Sequence, residues 1–202
     1  MSLLFFYGSA VEPAGVATTL GRELVAGIDY QLGRLRGYER IWNVATDSSK
    51  LLPGYKTYLY PDGRPFTGFV TFLNIRARRG RSIDGLLVRV TPEDIYRFDD
   101  RERNYRRVLI KDSIDLEDQQ STAQVWTYLG LDAARERYET GVDRGTAVIQ
   151  RAYQRAVVEA YEIHGPDLRA MYHESTVAPS VPVIDLQRLN LPSLPNSRSK
   201  LV

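Results

Sequence analysis

The sequence predicts an α+β domain built on an antiparallel or mixed sheet. Five or six strand-like segments gather before residue 130, and the helical patterns fall mostly after it. Helices do not alternate regularly with strands, which argues against a doubly wound nucleotide fold. With 43% apolar and 26% charged residues, the chain has enough apolar surface for a sizeable core. Its 202 residues exceed the roughly 150-residue prior for one domain by about a third, so a domain over residues 1–175 and a Pro/Ser-rich extended tail over 176–202 are expected.

The run Leu3–Tyr7 reads as a buried strand that stops at Gly8-Ser9. Val16, Leu20 and Leu24 recur every four residues and predict a short helix over Pro13–Val25, weakened by Gly15 and Gly21. Tyr30–Arg36 alternates as a strand, and Tyr38–Val44 continues it with Trp42 as a core aromatic. Turns follow at Pro53-Gly54 and Pro61-Asp62-Gly63. Thr67–Ile75 is rich in β-branched and aromatic residues and predicts another strand.

Ile83–Val90 is expected to be a strand, followed by a helix opened by Thr91-Pro92-Glu93-Asp94. There Thr91 caps, Pro92 suits the first helical position and Asp94 completes a capping box. That helix runs to about Glu102; Tyr105–Lys111 and Ala123–Leu129 then return as strands. A short helix is expected over Leu131–Tyr138 and a long one over Thr146–His164, the latter ended by Gly165-Pro166. From Thr176 the prolines among Ser and Asn predict an extended tail, ordered only where it lies against the domain or a partner.

Composition narrows the chemistry. There is no Cys, and His164 and His173 are too few for a multi-His metal centre. Acid–base work therefore falls to carboxylates or Tyr; the two His read as a helix-terminal charge and a surface residue. The balance of 27 basic against 25 acidic residues is too even for a general nucleic-acid binder. The apolar run at Leu3–Tyr7 is too short for a secretory signal or a membrane span, so a soluble cytoplasmic protein is expected. No Gly-x-Ser-x-Gly elbow, phosphate loop or dinucleotide fingerprint is present.

Two places carry candidate chemistry, each with a plainer alternative. Where Tyr7-Gly8-Ser9 turns from strand to helix, the N–H groups of Ser9, Ala10 and Val11 are able to converge on an anion such as a carboxylate. The alternative is an ordinary strand-to-helix turn. Glu102, at the helix–strand junction in Asp99-Asp100-Arg101-Glu102-Arg103, is a candidate proton carrier if a partly apolar pocket raises its pKa. The alternative is a surface charge paired to Arg101, Arg103, Arg106 or Arg107. The basic run Arg76–Arg81 reads as a loop between two strands, either solvated or touching an acidic partner.

In order and separation, Phe6-Tyr7-Gly8-Ser9, then Gly85–Thr91, Ile95–Glu102, Tyr105–Val108 and Ala123–Leu129 resemble the gamma-glutamylcyclotransferase family with its AIG2-like relatives. The resemblance covers roughly residues 3–130, and the helix containing Tyr153 is similar to the family's C-terminal helical part. It implies a small mixed β-barrel with flanking helices. It also implies a turn of Tyr7, Gly8, Ser9, Ala10 and Val11 that grips the α-carboxylate of a gamma-glutamyl substrate, with Tyr105 among the substrate contacts. Glu102 matches the catalytic carboxylate, taking a proton from the substrate α-amine as that amine attacks its own γ-carbonyl and 5-oxoproline leaves. Neither metal nor cofactor is implied.

Ala10 stands where many members carry Asn or Leu, and the stretch 34–75 and the tail depart from the family pattern. The rival expectations are a non-catalytic barrel that binds an acidic small molecule or protein partner through the Tyr7–Ser9 turn and the Arg76–Arg81 run, and, behind it, an RNA-associated domain. The particular gamma-glutamyl substrate, the oligomeric state and the role of the tail are left open by the residues.

Overall fold

The computed structural model describes residues 2–110, 114–115 and 124–192. In chain order the elements are β1 (Ser2–Phe6), a 3-10 turn (Ser9–Val11), α1 (Pro13–Leu20), β2 (Tyr30–Asp47), β3 (Lys56–Leu59) and β4 (Phe69–Val90). They continue as α2 (Pro92–Arg101), β5 (Tyr105–Leu109), β6 (Ile114–Asp115), β7 (Gln124–Gly130), α3 (Asp132–Asp143) and β8 (Ala147–Gln150). The chain then forms α4 (Arg151–Glu162), α5 (Pro166–Glu174), β9 (Val183–Ile184) and β10 (Gln187–Asn190). The expected ends of two strands, Lys111 and Ala123, and residues 193–202 of the expected tail lie outside the described residues.

The main sheet runs β5-β7-β1-β4-β2-β6, with β8 beside β4 and β9 beside β8. It is mixed: β1 pairs antiparallel with β4 and parallel with β7, and β8 pairs parallel with both its neighbours. Among the described residues no pair joins β5 to β6 into a ring. β1 is buried because it is the middle of this sheet; Leu4 and Phe5 are fully enclosed, as the uninterrupted apolar run of a strand covered on both faces requires. The capping box forms as expected, with Asp94 N–H donating to Thr91 Oγ1 (3.2 Å) and Thr91 N–H donating to an Asp94 carboxylate oxygen (3.1 Å). Phe98 of α2 then packs on Phe6, ring centroids 4.9 Å apart. No helix among the described residues is long and apolar enough to cross a membrane.

Several elements differ from expectation for identifiable reasons. Thr67–Ile75 and Ile83–Val90 are one strand, β4, which pairs with β2 along nearly its whole length. The register steps from Arg36↔Ser82 to Tyr38↔Ala77, so residues 78–81 bulge out of β4 opposite a single residue of β2. Gly37 and Gly80, at φ +80° and +78°, supply the left-handed backbone this irregularity uses. The Arg76–Arg81 run therefore lies within one strand, Arg76 and Ala77 paired to β2 and residues 78–81 an exposed bulge, and is not a connection between two strands.

The helix expected from Thr146 starts only at Arg151. Ala147–Gln150 is wholly buried and pairs with Phe69–Val70 on one side and Val183–Ile184 on the other. Its short apolar run is ambiguous between helix and strand, and two waiting strand edges decide it. Pro166 both follows α4 and opens α5, whose Leu168 and Tyr172, four residues apart, are buried. α3 extends to Asp143 because Gly141 lets it approach β4 and β8; a Cβ there would lie 2.9 Å from Phe69. The segment after Thr176 lies against the domain: β9 extends the main sheet, and β10 forms an antiparallel ribbon with β3.

Beneath the β1 turn lies a fully buried arginine, Arg40 of β2. Its guanidinium donates from Nε to Tyr7 O (3.0 Å), from Nη1 to Ser175 Oγ (2.5 Å), and from Nη2 to Tyr161 Oη (2.6 Å) and Asp84 O. The rings of Tyr161 and Tyr172 pack against it, centroids 4.8 and 5.4 Å away. Carbonyl dipoles, hydroxyls and ring faces, with no carboxylate at ion-pair distance among the described residues, replace its lost hydration. Arg40 thereby ties β2, the end of β1, α4 and the segment after α5 to one another.

Candidate functional site

Glu102 closes α2. Its N–H donates to Phe98 O (2.8 Å) and its carbonyl accepts the Tyr105 N–H (2.8 Å), which fixes the backbone on both sides. The corner is anchored again through Asp99, whose carboxylate accepts from Tyr128 Oη (2.8 Å) and Arg107 Nη1 (2.8 Å). The Glu102 side chain is 23% exposed and lies 3.3 Å from Arg101 Nε. Burial raises its carboxyl above the ordinary value of 4.5; the positive charges of Arg101 and Lys56 offset part of that rise. Both readings of Glu102 thus have a counterpart: it is paired to an arginine, and it is held in a partly desolvated pocket.

That pocket has two chambers, and Glu102 borders both. The inner one, about 70 Å³, is walled by Gly8, Ser9 and Ala10 of the turn together with Tyr105, Tyr128 and Tyr153. The outer one, about 420 Å³, lies within the range of small-molecule sites and is strongly polar, with Lys56, Arg101, Arg103, Asn104, Gln150 and Arg188 among its walls. The turn and Glu102, more than ninety positions apart in sequence, therefore meet at one cavity.

The turn residues differ in what they offer. Val11 is fully buried, and its N–H already donates to Gly8 O (3.0 Å); His164, just past the C-terminal end of α4, reaches Val11 O (3.0 Å). Val11 thus builds the turn, while Ser9 and Ala10 supply the leading amides of the 3-10 turn, which find no acceptor inside it. The Tyr7 hydroxyl donates to Tyr128 O (2.7 Å) and its carbonyl accepts from Arg40 and Tyr161 (2.8 Å). Tyr7 is a structural anchor whose backbone leads into the cavity. Tyr105 lines both chambers, and its hydroxyl donates to Leu73 O (2.7 Å).

Several lining residues escape sequence reasoning. Tyr153, which reads as one member of an apolar helical stripe, packs on Phe72 (5.1 Å) and Trp42 (6.0 Å) and brings its hydroxyl to the Gly8 backbone, 3.7 Å from where a Cβ would stand. Asn104 donates to Thr46 Oγ1 (2.7 Å) and Tyr55 Oη (2.9 Å) and accepts from Arg137 (2.9 Å), so it is locked in place. Lys56 and Arg188 come from the β3–β10 ribbon, and no local pattern marks either. The identifying signal, alternation on two strands 130 positions apart, becomes visible only once the pairing is known.

The profile of the gamma-glutamyl cyclotransferase, AIG2-like family matches residues 4–146. The chain belongs to that family. The matched span holds the turn, α2, Glu102 and β7, so the shared cavity lies largely within the family region. Among solved structures, an uncharacterised human protein aligns with a TM-score of 0.55 at 13% identity, over 89% of each chain. A structure described as a gamma-glutamyl cyclotransferase aligns with a TM-score of 0.52 at 10% identity, again over 89% of each. At such identities the likeness shows the cyclotransferase-like fold. A search of curated protein sequences returns no match.

Proposed function

We propose that this cyclotransferase-family chain releases 5-oxoproline from a gamma-glutamyl amine, amide or peptide, with Glu102 as the proton carrier. The observation that carries the reading is the shared chamber of Glu102 and the Gly8–Ala10 turn. The Ser9 and Ala10 amides receive the substrate α-carboxylate. The α-amine, folded back, attacks the γ-carbonyl carbon and forms the ring C–N bond while Glu102 takes its proton. The tetrahedral intermediate then collapses, the bond to the departing amine nitrogen breaks, and Glu102 returns the proton to that nitrogen. Atoms balance: one gamma-glutamyl compound gives one 5-oxoproline and one amine. Both reacting groups belong to one molecule, so holding the folded-back conformer supplies much of the acceleration.

The test is incubation with a panel of gamma-glutamyl amines, amides and peptides, with 5-oxoproline and glutamate quantified separately. Equimolar 5-oxoproline and free amine support the reading; glutamate release or no reaction contradicts it. Saturable binding without turnover would instead favour a non-catalytic binder of acidic small molecules, in which Glu102 serves only as the ion-pair partner of Arg101 (3.3 Å).

A pH profile follows from the buried carboxyl. Glu102 acts as base only when ionised, so activity falls as pH drops through its pKa. Because burial places that pKa above 4.5, the acid limb of kcat/KM has its midpoint above 4.5. A midpoint at or below 4.5 would show that a different group carries the proton.

A further inference from the structure

The outer chamber carries more positive charge than its own carboxylates balance. Lys56, Arg101, Arg103 and Arg188 face it alongside two acids, Asp100 and Glu102. Arg101 is engaged by Glu102 at 3.3 Å, and Arg103 approaches Asp100 at 3.7 Å. Lys56 and Arg188 have no carboxylate at ion-pair distance among the described residues. The Lys56 ammonium rests on the Phe72 ring, 3.9 Å from its centroid, while Arg188 Nε donates to Asn190 Oδ1 (3.0 Å).

The β3–β10 register explains how the two cations come together. Lys56 pairs with Asn190 and Tyr58 with Arg188, and alternation turns these four side chains to one face of the ribbon. All four line the chamber. Lys56 and Arg188 are diagonal neighbours, a spacing of roughly 7–8 Å that long side chains bridge readily. Gly54 N–H to Pro192 O (3.0 Å) prolongs the ribbon, and Tyr58 N–H to Ser48 Oγ (3.0 Å) and Gln150 Nε2 to Leu186 O (2.8 Å) hold it on the domain. Burial, then the nearby Arg188, brings the Lys56 pKa down to about 8, with Glu102 opposing and Arg101 adding to the fall. A bound anion would relieve that repulsion.

We propose that Lys56 and Arg188 form an anion subsite for the departing half of the substrate, selecting gamma-glutamyl compounds whose amine half carries a carboxylate over those whose amine half is neutral. The inference rests on the cyclotransferase reading: Glu102 borders both chambers, so a glutamyl group whose α-carboxylate reaches the Gly8–Ala10 turn from Glu102 directs the leaving amine into the outer one. The two residues are specificity determinants and take no part in bond making.

The experiment compares gamma-glutamylglycine with gamma-glutamylglycinamide on the wild-type protein, Lys56→Met, Arg188→Gln and the double variant. The readout is the acid-to-amide ratio of kcat/KM, which cancels any effect of a substitution on Glu102. The wild type is expected to prefer the acid by about tenfold or more, as a charge-assisted contact supports. Each single variant should lose part of that preference through KM for the acid, and the double variant should lose it all. A wild-type ratio near one, or a ratio untouched by the double substitution, overturns the subsite.

Calorimetric binding of the same two compounds to the same set of proteins, each also carrying Glu102→Gln, reads the subsite without turnover. Tighter binding of the acid that depends on both residues supports it, and equal binding overturns it. If that binding pattern appears but the wild-type protein forms no 5-oxoproline, the cyclotransferase reading fails and the anion subsite stands.

Discussion

Glu102→Gln should reduce kcat for 5-oxoproline release by about 10²- to 10⁴-fold, the usual contribution of a positioned general base. The amide keeps the size and most of the contacts of the side chain but takes up no proton at neutral pH. KM should move far less, because the α-carboxylate and the amine half are held by other groups. Stability should change little: Glu102 is partly exposed and its contact with Arg101 is screened by solvent. The acid limb of the pH profile should disappear from whatever activity remains. Glu102→Asp separates position from chemistry. It retains the carboxylate but withdraws it by one methylene, a displacement of the order that costs about 10²-fold. Steady-state kinetics with a thermal melt on each variant checks these outcomes, and an E102Q protein as active as the wild type would remove Glu102 from the mechanism.

Arg40→Met is expected to have the largest effect on stability. The substitution preserves an apolar stem but removes every donor from a site with no water access, where Arg40 serves Tyr7 O, Asp84 O, Tyr161 Oη and Ser175 Oγ. Tyr161 still reaches Tyr7 O (2.8 Å) and Asp84 O (3.2 Å), so the carbonyls are not all orphaned. At about 1–3 kcal/mol for each group left unsatisfied, a loss of about 3–5 kcal/mol is expected. That is a large share of the roughly 5–15 kcal/mol of a typical domain. The melting temperature should fall by about 10 °C or more. Urea unfolding reads the same loss, and a change below about 1 kcal/mol would contradict this account of Arg40. Because Tyr7 O precedes Gly8 directly, the folded fraction should also bind the α-carboxylate more weakly, appearing as a raised KM.

These two residues show where sequence reasoning reaches and where it stops. Glu102 and the Tyr7–Ala10 turn were legible because local chemistry marks their settings: an apolar strand broken by Gly8, and a helix announced by Thr91, Pro92 and Asp94 and ending at a carboxylate. Arg40 was not legible, since nothing near it in sequence distinguishes a buried arginine from the solvated ones that follow at 76–81. Its partners lie 33 to 135 positions away. Ala147–Gln150 reads as helix in the sequence for the same kind of reason: three apolar residues and a glutamine take their conformation from the strand edges they meet. Lys56 and Arg188 became site residues only through the register of β3 and β10. Short-range rules locate corners and caps, whereas the charge lining the outer chamber depends on which distant strands pair.

The most direct test of the central claim is an amide NMR titration of the E102Q protein with a gamma-glutamyl compound, where slow turnover leaves the substrate intact. The largest perturbations are expected at the backbone amides of Gly8, Ser9 and Ala10 and at the α2–β5 corner, saturating together with one dissociation constant. Perturbations confined to other surfaces, with the 8–10 turn silent at saturation, would contradict the claim.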